Sequence, residues 1–227
     1  MWYAKLTGGY AKESYEAQQN ATEIYGILKA KGWSHNAICA CLGNNNHEGQ
    51  YNPWRWEGDN VPTYEQWQTE WLDSTAHGYG MWGFTPAKKY ILDEYARAIY
   101  GYKPNFSDQE GSPTDGRAQT YFMDSGLSGW ISRERFNYMT FEEYKVSTKS
   151  LYYLTRVFLY CFENPANPEA SLSDRYEAAQ YWDNYFTEDV PDVPTPDPPP
   201  EPDPEPPEPP YSPKKRDRRR WKFWLFF

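Results

Sequence analysis

The chain has 227 residues, enough for one medium domain with appendages, and carries 11 Trp, 21 Tyr and 11 Phe. That ring content marks an aromatic-rich core and also suits a groove that stacks sugar faces. The net charge of −9 conceals three unlike regions, and no run of about 18 apolar residues exists, which excludes a bilayer span by a single helix.

The opening stretch MWYAKLTGGYAKESYEAQQN has no apolar segment of the kind a secretory signal needs, so none is expected. Residues 1–11 read as a short lead-in broken at Thr7-Gly8-Gly9. Ala21, Ile24, Tyr25 and Leu28 follow helical spacing, which predicts a helix over Lys12–Lys31, ended by Gly32. Ser34 can cap the next helix, because its hydroxyl can accept from an N–H of the first turn. Ile38, Cys41 and Leu42 share one face of that helix, and Glu48, about two turns after Cys41, returns to it. The helix is expected to run to Glu48, stopping at Gly49 with Pro53 beyond. A carboxyl group half-removed from water resists ionisation, and a carboxylic acid that keeps its proton can donate it to a leaving group. The competing explanation is an ordinary carboxylate on a solvated helix end.

Trp54–Asp73 is irregular and is expected to form a short hairpin or long loop, then a turn of helix from Thr63 through Trp71. Gly78-Tyr79-Gly80-Met81-Trp82-Gly83-Phe84 is a glycine-spaced aromatic strand or loop that a second backbone or a ligand can approach closely. Thr85-Pro86 begins a helix whose stripe is Ile91, Tyr95, Ala98 and Ile99, ended by Gly101. Lys103–Gly116 is a polar loop and Arg117–Ser125 a helix. Thr140–Phe162 reads as one strong helix with Leu151, Leu154, Phe158 and Cys161 on a single face, broken by Glu163-Asn164-Pro165. Ser171 or Ser173 caps a last helix to about Phe186, with Ala178, Trp182 and Tyr185 inward. The compact domain is therefore mainly α and spans 1–187, with a charge of −7.

Residues 188–213 carry eight acids and no base, and twelve of the twenty residues 191–210 are proline. This is a stiff extended spacer of roughly 60 Å; a ligand for a proline-reading domain is the alternative. Residues 214–227 carry seven bases and one acid, and close on Trp221-Lys222-Phe223-Trp224-Leu225-Phe226-Phe227. The basic cluster suits anionic lipid headgroups and the rings suit the membrane interface. Docking into another protein is the equal alternative. No nucleic-acid partner is expected, given the acidic spacer beside the basic run.

Three further readings concern chemistry. Cys39, Cys41 and Cys161 are expected to be small core residues, and Cys39-x-Cys41 lacks zinc-knuckle spacing. His47-Glu48 opens like HExxH, but Tyr51 stands at the second histidine position, so no metal is expected there. A Cys–His amidase needs its pair on opposing elements, whereas Cys39, Cys41 and His35 share one short helix.

The run Leu42-Gly43-Asn44-Asn45-Asn46-His47-Glu48-Gly49-Gln50-Tyr51-Asn52-Pro53 resembles the GxLGN…ES.F.P signature of the phage tail lysins, lysozyme-like domains of tail-knob and tail-tip proteins. Gly78–Pro86 resembles the GYGLWQWTP run of that family, Thr140–Lys145 its TFEEFK, and Phe162–Pro165 with Ser173-Asp174-Arg175, Ala178 and Trp182 its closing FE.P…R…A..W segment. The resemblance covers roughly residues 20–186. Gly49 replaces the family's serine and Gly83 its glutamine, which removes an amide that could bond a sugar.

The resemblance implies a lysozyme-like fold with a small β-hairpin region, and Glu48 as catalytic acid. Asp59 and Asp73, with Glu57 behind them, are candidates for a second carboxylate, since lysozyme-like folds place their hairpin after the acid. Trp54, Tyr79 and Trp82 are candidates for sugar stacking, with core packing as the competing role. The implied function is a phage-encoded cell-wall lysin, free of cofactor, that cleaves the β-1,4 bond between N-acetylmuramic acid and N-acetylglucosamine in bacterial peptidoglycan, by hydrolysis or transglycosylation. It would act from the virion tail during DNA entry, or from the host cytoplasm at lysis. Residues 214–227 would then meet a membrane surface or another virion protein. The rival is a non-catalytic, lysozyme-shaped structural or binding protein of the tail.

Overall fold

The computed structural model describes residues 2–59, 61–66, 77–85, 115–126 and 129–187, and among these the fold is helical. Helix α1 is Tyr15–Ala30 and α2 is His35–Asn45. A single turn, α3, covers Tyr64–Gln66, and α4 is Asp115–Asp124. Then come α5 (Phe141–Lys145), α6 (Leu151–Phe158), which runs on into a π-helical turn at Leu159–Glu163, and α7 (Glu169–Thr187).

The centre of the domain is α2. Every residue from Ala37 to Asn45 is buried, as expected of a helix enclosed on all sides. It packs against α1, α5, α6 and most extensively α7. Ser34 caps it, accepting from Ala37 N at 3.2 Å. The helix stops at Asn45, one turn short of Glu48. The reason is side-chain competition: Asn45 Oδ1 accepts from Tyr51 N at 2.8 Å and Asn45 O from Gln50 N at 2.9 Å, closing a tight turn with Gln50 and Tyr51 at positive φ.

Of the α1 stripe, Ala21, Ile24 and Leu28 are fully buried and Tyr25 half-buried, and the helix begins at Tyr15 because Ser14 caps it. The helix expected over Thr140–Phe162 is broken. Thr140 and Glu143 form a capping box at the start of α5, and Ser150 starts α6 afresh. The carbonyls freed between them are used by the start of α2: Lys145 O accepts from Ser34 N, Ser147 O from Ser34 Oγ and Lys149 O from Asn36 Nδ2. Leu154, Phe158 and Cys161 are nevertheless buried together. The last helix starts at Glu169, before either proposed serine cap, and Ser171 instead bonds Arg175 within it.

The core is a web of rings. Trp182 sits edge-on to Tyr51 at 5.1 Å and donates to its hydroxyl at 2.6 Å, and Tyr51 in turn donates to Leu42 O. Trp130 lies against Phe141, Tyr144 and Phe158. The N-terminal lead-in is strapped down by two buried asparagines acting as peptide mimics. Asn20 pairs with both backbone groups of Tyr3, and Asn52 pairs with those of Lys5 while also donating to Gly8 O.

In the expected hairpin region, Trp56 bridges Tyr79 and Tyr79 bridges Phe84, both antiparallel and isolated. The helix predicted after Thr85 and both C-terminal segments, 188–213 and 214–227, lie outside the described residues. No helix among the described residues is long and apolar enough to cross a membrane.

Candidate active site

A cleft of about 710 Å³ opens between the turn that follows α2, the 78–85 loop and the segment from Phe162 to Arg175. Glu48 stands at its lip, with a side chain 27% exposed. Its backbone is tied from two directions: Arg55 Nη1 donates to Glu48 O at 3.0 Å, and the neighbouring Gly49 N donates to Met81 O at 3.1 Å. Gly49 is there for closeness. A Cβ at 49 would lie 2.3 Å from Met81 Cα, so the departure from the family's serine lets the 78–85 loop rest directly on the Glu48 turn. Gly83, at φ 55°, brings bare backbone over the same carboxylate.

The surroundings of Glu48 differ from the apolar stripe expected. Its Oε1 accepts from Arg175 Nη2, and Arg175 is 1% exposed. The guanidinium is held on every side: Nε donates to Ser171 Oγ at 3.0 Å, and Nη1 to Asn44 O at 3.2 Å and Asn44 Oδ1 at 3.1 Å. Asn44 is fixed in turn by donating to Ala40 O and Thr155 O. This arrangement needs α7 hard against α2. Gly43 permits it, since a Cβ at 43 would lie 2.5 Å from Arg175 O and 2.6 Å from Ala179 Cβ.

Glu163 also lines the cleft, at the end of the π-helical turn, where Asn164 in the left-handed region stops the helix. Its Oε1 is sealed from solvent and receives no hydrogen bond. Burial, and next the negative charge of Glu48, push its carboxyl well above the usual carboxylate range against the pull of Arg175. His47, beside Glu48, is shifted down by burial and by Arg175.

The residues singled out from the sequence divide. Glu48 and Trp82 line the cleft. All three rings are fully buried, Trp82 at 1% exposure in the cleft wall and Trp54 and Tyr79 off its lining; Tyr79 packs on Trp56 at 4.6 Å. Asp59 also lies off the lining, with Oδ1 accepting from Gly8 N and Arg55 Nε. Glu57 lines the cleft and accepts from Gly78 N at 3.0 Å. Asp73 lies outside the described residues. Spacing alone does not mark Arg175 or Glu163 as site residues. Both sit in the segments that resemble the family's closing motif, and that was the signal available.

A family model described as phage tail lysozyme matches residues 19–186, and Glu48, Glu163 and Arg175 all fall inside that match. The chain belongs to the phage tail lysozyme family. It is 32% identical over 189 residues to Morphogenesis protein 1 of Bacillus phage B103, a match covering 76% of this chain and 42% of that protein. The chain thus spans less than half the length of the curated relative it matches.

Elsewhere in this phage tail lysozyme domain, His35, Cys39 and Asp183 bring three potential ligand atoms within 4.8 Å of one another. Both ring nitrogens of His35 are already bonded, Nδ1 to Tyr25 Oη at 2.8 Å and Nε2 to Asp183 Oδ1 at 2.7 Å. The group reads as a clamp of α1, α2 and α7. Burial, with Asp183 nearby, pushes the Cys39 thiol up, which makes it a poor nucleophile.

Proposed function

We propose that this domain cleaves the β-1,4 bond between N-acetylmuramic acid and N-acetylglucosamine in bacterial peptidoglycan, with Glu48 as the general acid. The observation that carries this reading is a half-exposed carboxyl at the lip of a large cleft, fixed by a buried arginine, inside the stretch matched by the phage tail lysozyme family. Glu48 would pass a proton to the glycosidic oxygen as the bond from that oxygen to the muramyl C1 breaks. Water then adds hydroxide at C1 and returns its proton to the carboxylate, giving a reducing end. If the muramyl 6-hydroxyl attacks instead, the same carboxylate takes that proton and an anhydro end results. Trp82, buried in the cleft wall, supports the groove floor and is the candidate for contact with a sugar face.

The test is Glu48→Gln in the full chain, assayed by muropeptide release from purified cell walls. Release should fall by about 10²–10⁴-fold, the usual worth of a general acid. Undiminished release would sink the assignment, and the chemistry of the new ends separates hydrolase from transglycosylase.

A second reading is a non-catalytic structural role in the tail. The name of the relative, a morphogenesis protein, favours it. Wild-type protein that binds walls and releases nothing would establish it. We further propose that the domain is carried in the virion and opens the wall during DNA entry, with action at lysis the alternative. Residues 188–213 would serve as spacer and 214–227 as an anchor on membrane or on another virion protein. Liposome flotation with and without 214–227 checks the membrane case, and equal flotation rejects it.

A further inference from the structure

We propose that Glu163 is a positioning residue for Glu48: the two carboxyls and the Arg175 guanidinium form one set that holds a single proton, and this set supplies the acid. The proposal rests on the reading of Glu48 as the acid and adds the residue that keeps a proton available to it.

Arg175 offers donors to Ser171, Asn44 and Glu48, and no hydrogen bond from it reaches Glu163. Glu163 has an oxygen with neither solvent nor donor. An ionised carboxylate in that position would lack the partners that burial of charge requires, whereas the neutral acid costs far less. One cation facing two carboxyls is balanced when the pair keeps one proton and carries an excess negative charge when it keeps none.

From α7 Glu163 faces Arg175, and from the turn after α2 it faces Glu48, with His47 beside it. From α2 it faces Cys41, a fully buried thiol that burial keeps protonated. Arg133 bonds the next residue, Asn164, and Arg55 and Glu57 stand on the other wall of the cleft. Among the described residues Arg175 is thus the cation that acts on the Glu163 carboxyl, and it is already committed to Glu48.

The proton rests on Glu163, whose Oε1 is sealed from solvent, and has a second seat on Glu48, from which it can reach a glycosidic oxygen. With Glu163→Gln the reserve seat is gone. A general acid that draws on a reserve proton keeps working at higher pH than one without it.

The experiment is the pH profile of kcat for wall cleavage by the full-length protein, its Glu163→Gln variant and its Glu163→Asp variant. The Gln variant should lose its alkaline limb by at least about one pH unit, converge on wild type at acid pH, and be about tenfold or more slower near neutrality. The Asp variant, which keeps a second seat, should recover part of the limb. A Gln profile parallel to wild type at every pH, at whatever height, would overturn the proposal, because a purely structural role lowers activity without moving the limb.

A readout independent of activity is carbon NMR of protein labelled at the glutamate carboxyl. One carboxyl should titrate above the ordinary range in wild type and vanish in Glu163→Gln. Absence of that titration in wild type overturns the proton set even where Glu48→Gln abolishes cleavage and the glycosidase reading stands.

Discussion

Arg175, on α7, reaches Glu48 across 127 positions of chain, and the two ends of this ion pair are unequal: the arginine side chain is 1% exposed and the glutamate 27%. The guanidinium is a buried fixture with five hydrogen-bond donors to satisfy, and the carboxylate is the end offered to the cleft. Replacing Arg175 by Met removes its bonds to Asn44 and Ser171 together with the partner of Glu48. We expect a loss of about 2–4 kcal/mol, the lower part of the range for a broken buried pair because one end is wet. The urea midpoint measures it. Glu48→Gln leaves Arg175 bonded to Asn44 and Ser171 and should cost less than Arg175→Met; the reverse order would refute the asymmetry.

Glu163 makes stability depend on pH in a direction opposite to most carboxylates. Burial, and next the charge of Glu48, raise its folded-state pKa well above the usual carboxylate range. A group raised on folding contributes stability that is complete below its unfolded pKa and is lost as pH rises toward the folded one. Relative to Glu163→Gln, the wild type should therefore gain stability as pH falls from about 7.5 to about 4.5, by at most about 1.4 kcal/mol per pH unit. Urea midpoints of both proteins at the two pH values give the difference, with effects of other groups cancelling. A constant difference would count against a protonated Glu163.

Gly43 sets the contact between α2 and α7. A methyl group there meets Arg175 O at 2.5 Å and Ala179 Cβ at 2.6 Å, and neither backbone nor Cβ can swing away. Gly43→Ala should cost about 1–3 kcal/mol by overpacking, despite the better helix propensity of alanine. It should also weaken wall cleavage, because Arg175 moves with α7. Thermal unfolding and muropeptide release check the two effects in one variant.

Asn52, fully buried, spends its amide on Lys5 N, Lys5 O, Gly8 O and Trp54 N. Asn52→Ala leaves those backbone groups without their partner and should cost about 2–4 kcal/mol. Hydrogen exchange should accelerate first over residues 2–8. Unchanged protection there would show that Trp2, Asn20 and the Gly8–Asp59 bond hold the strap without Asn52.

Local signals were legible because their physics is local. Ser34 capping α2, the buried stripe of α1 and the inward Trp182 all follow from spacing within a few turns. The same reasoning joined α5 and α6, because the Val146–Ser150 break is satisfied by Ser34 and Asn36, more than a hundred positions away. It likewise could not sort rings: Trp54, Tyr79 and Trp82 look alike in the sequence, and packing buries all three and leaves Trp82 alone of them bordering the cleft.

The sequence by itself determined a mainly helical domain, its membership of the phage tail lysozyme family and the carboxyl on which the functional reading turns. Tertiary structure decided the company that carboxyl keeps. Arg175 and Glu163 meet Glu48 because Gly43 lets two helices touch and a π-helical turn aims Glu163 inward. Capping and periodicity act over a few residues, whereas the balance of two carboxyls and one buried cation exists only where distant segments share a low-dielectric space.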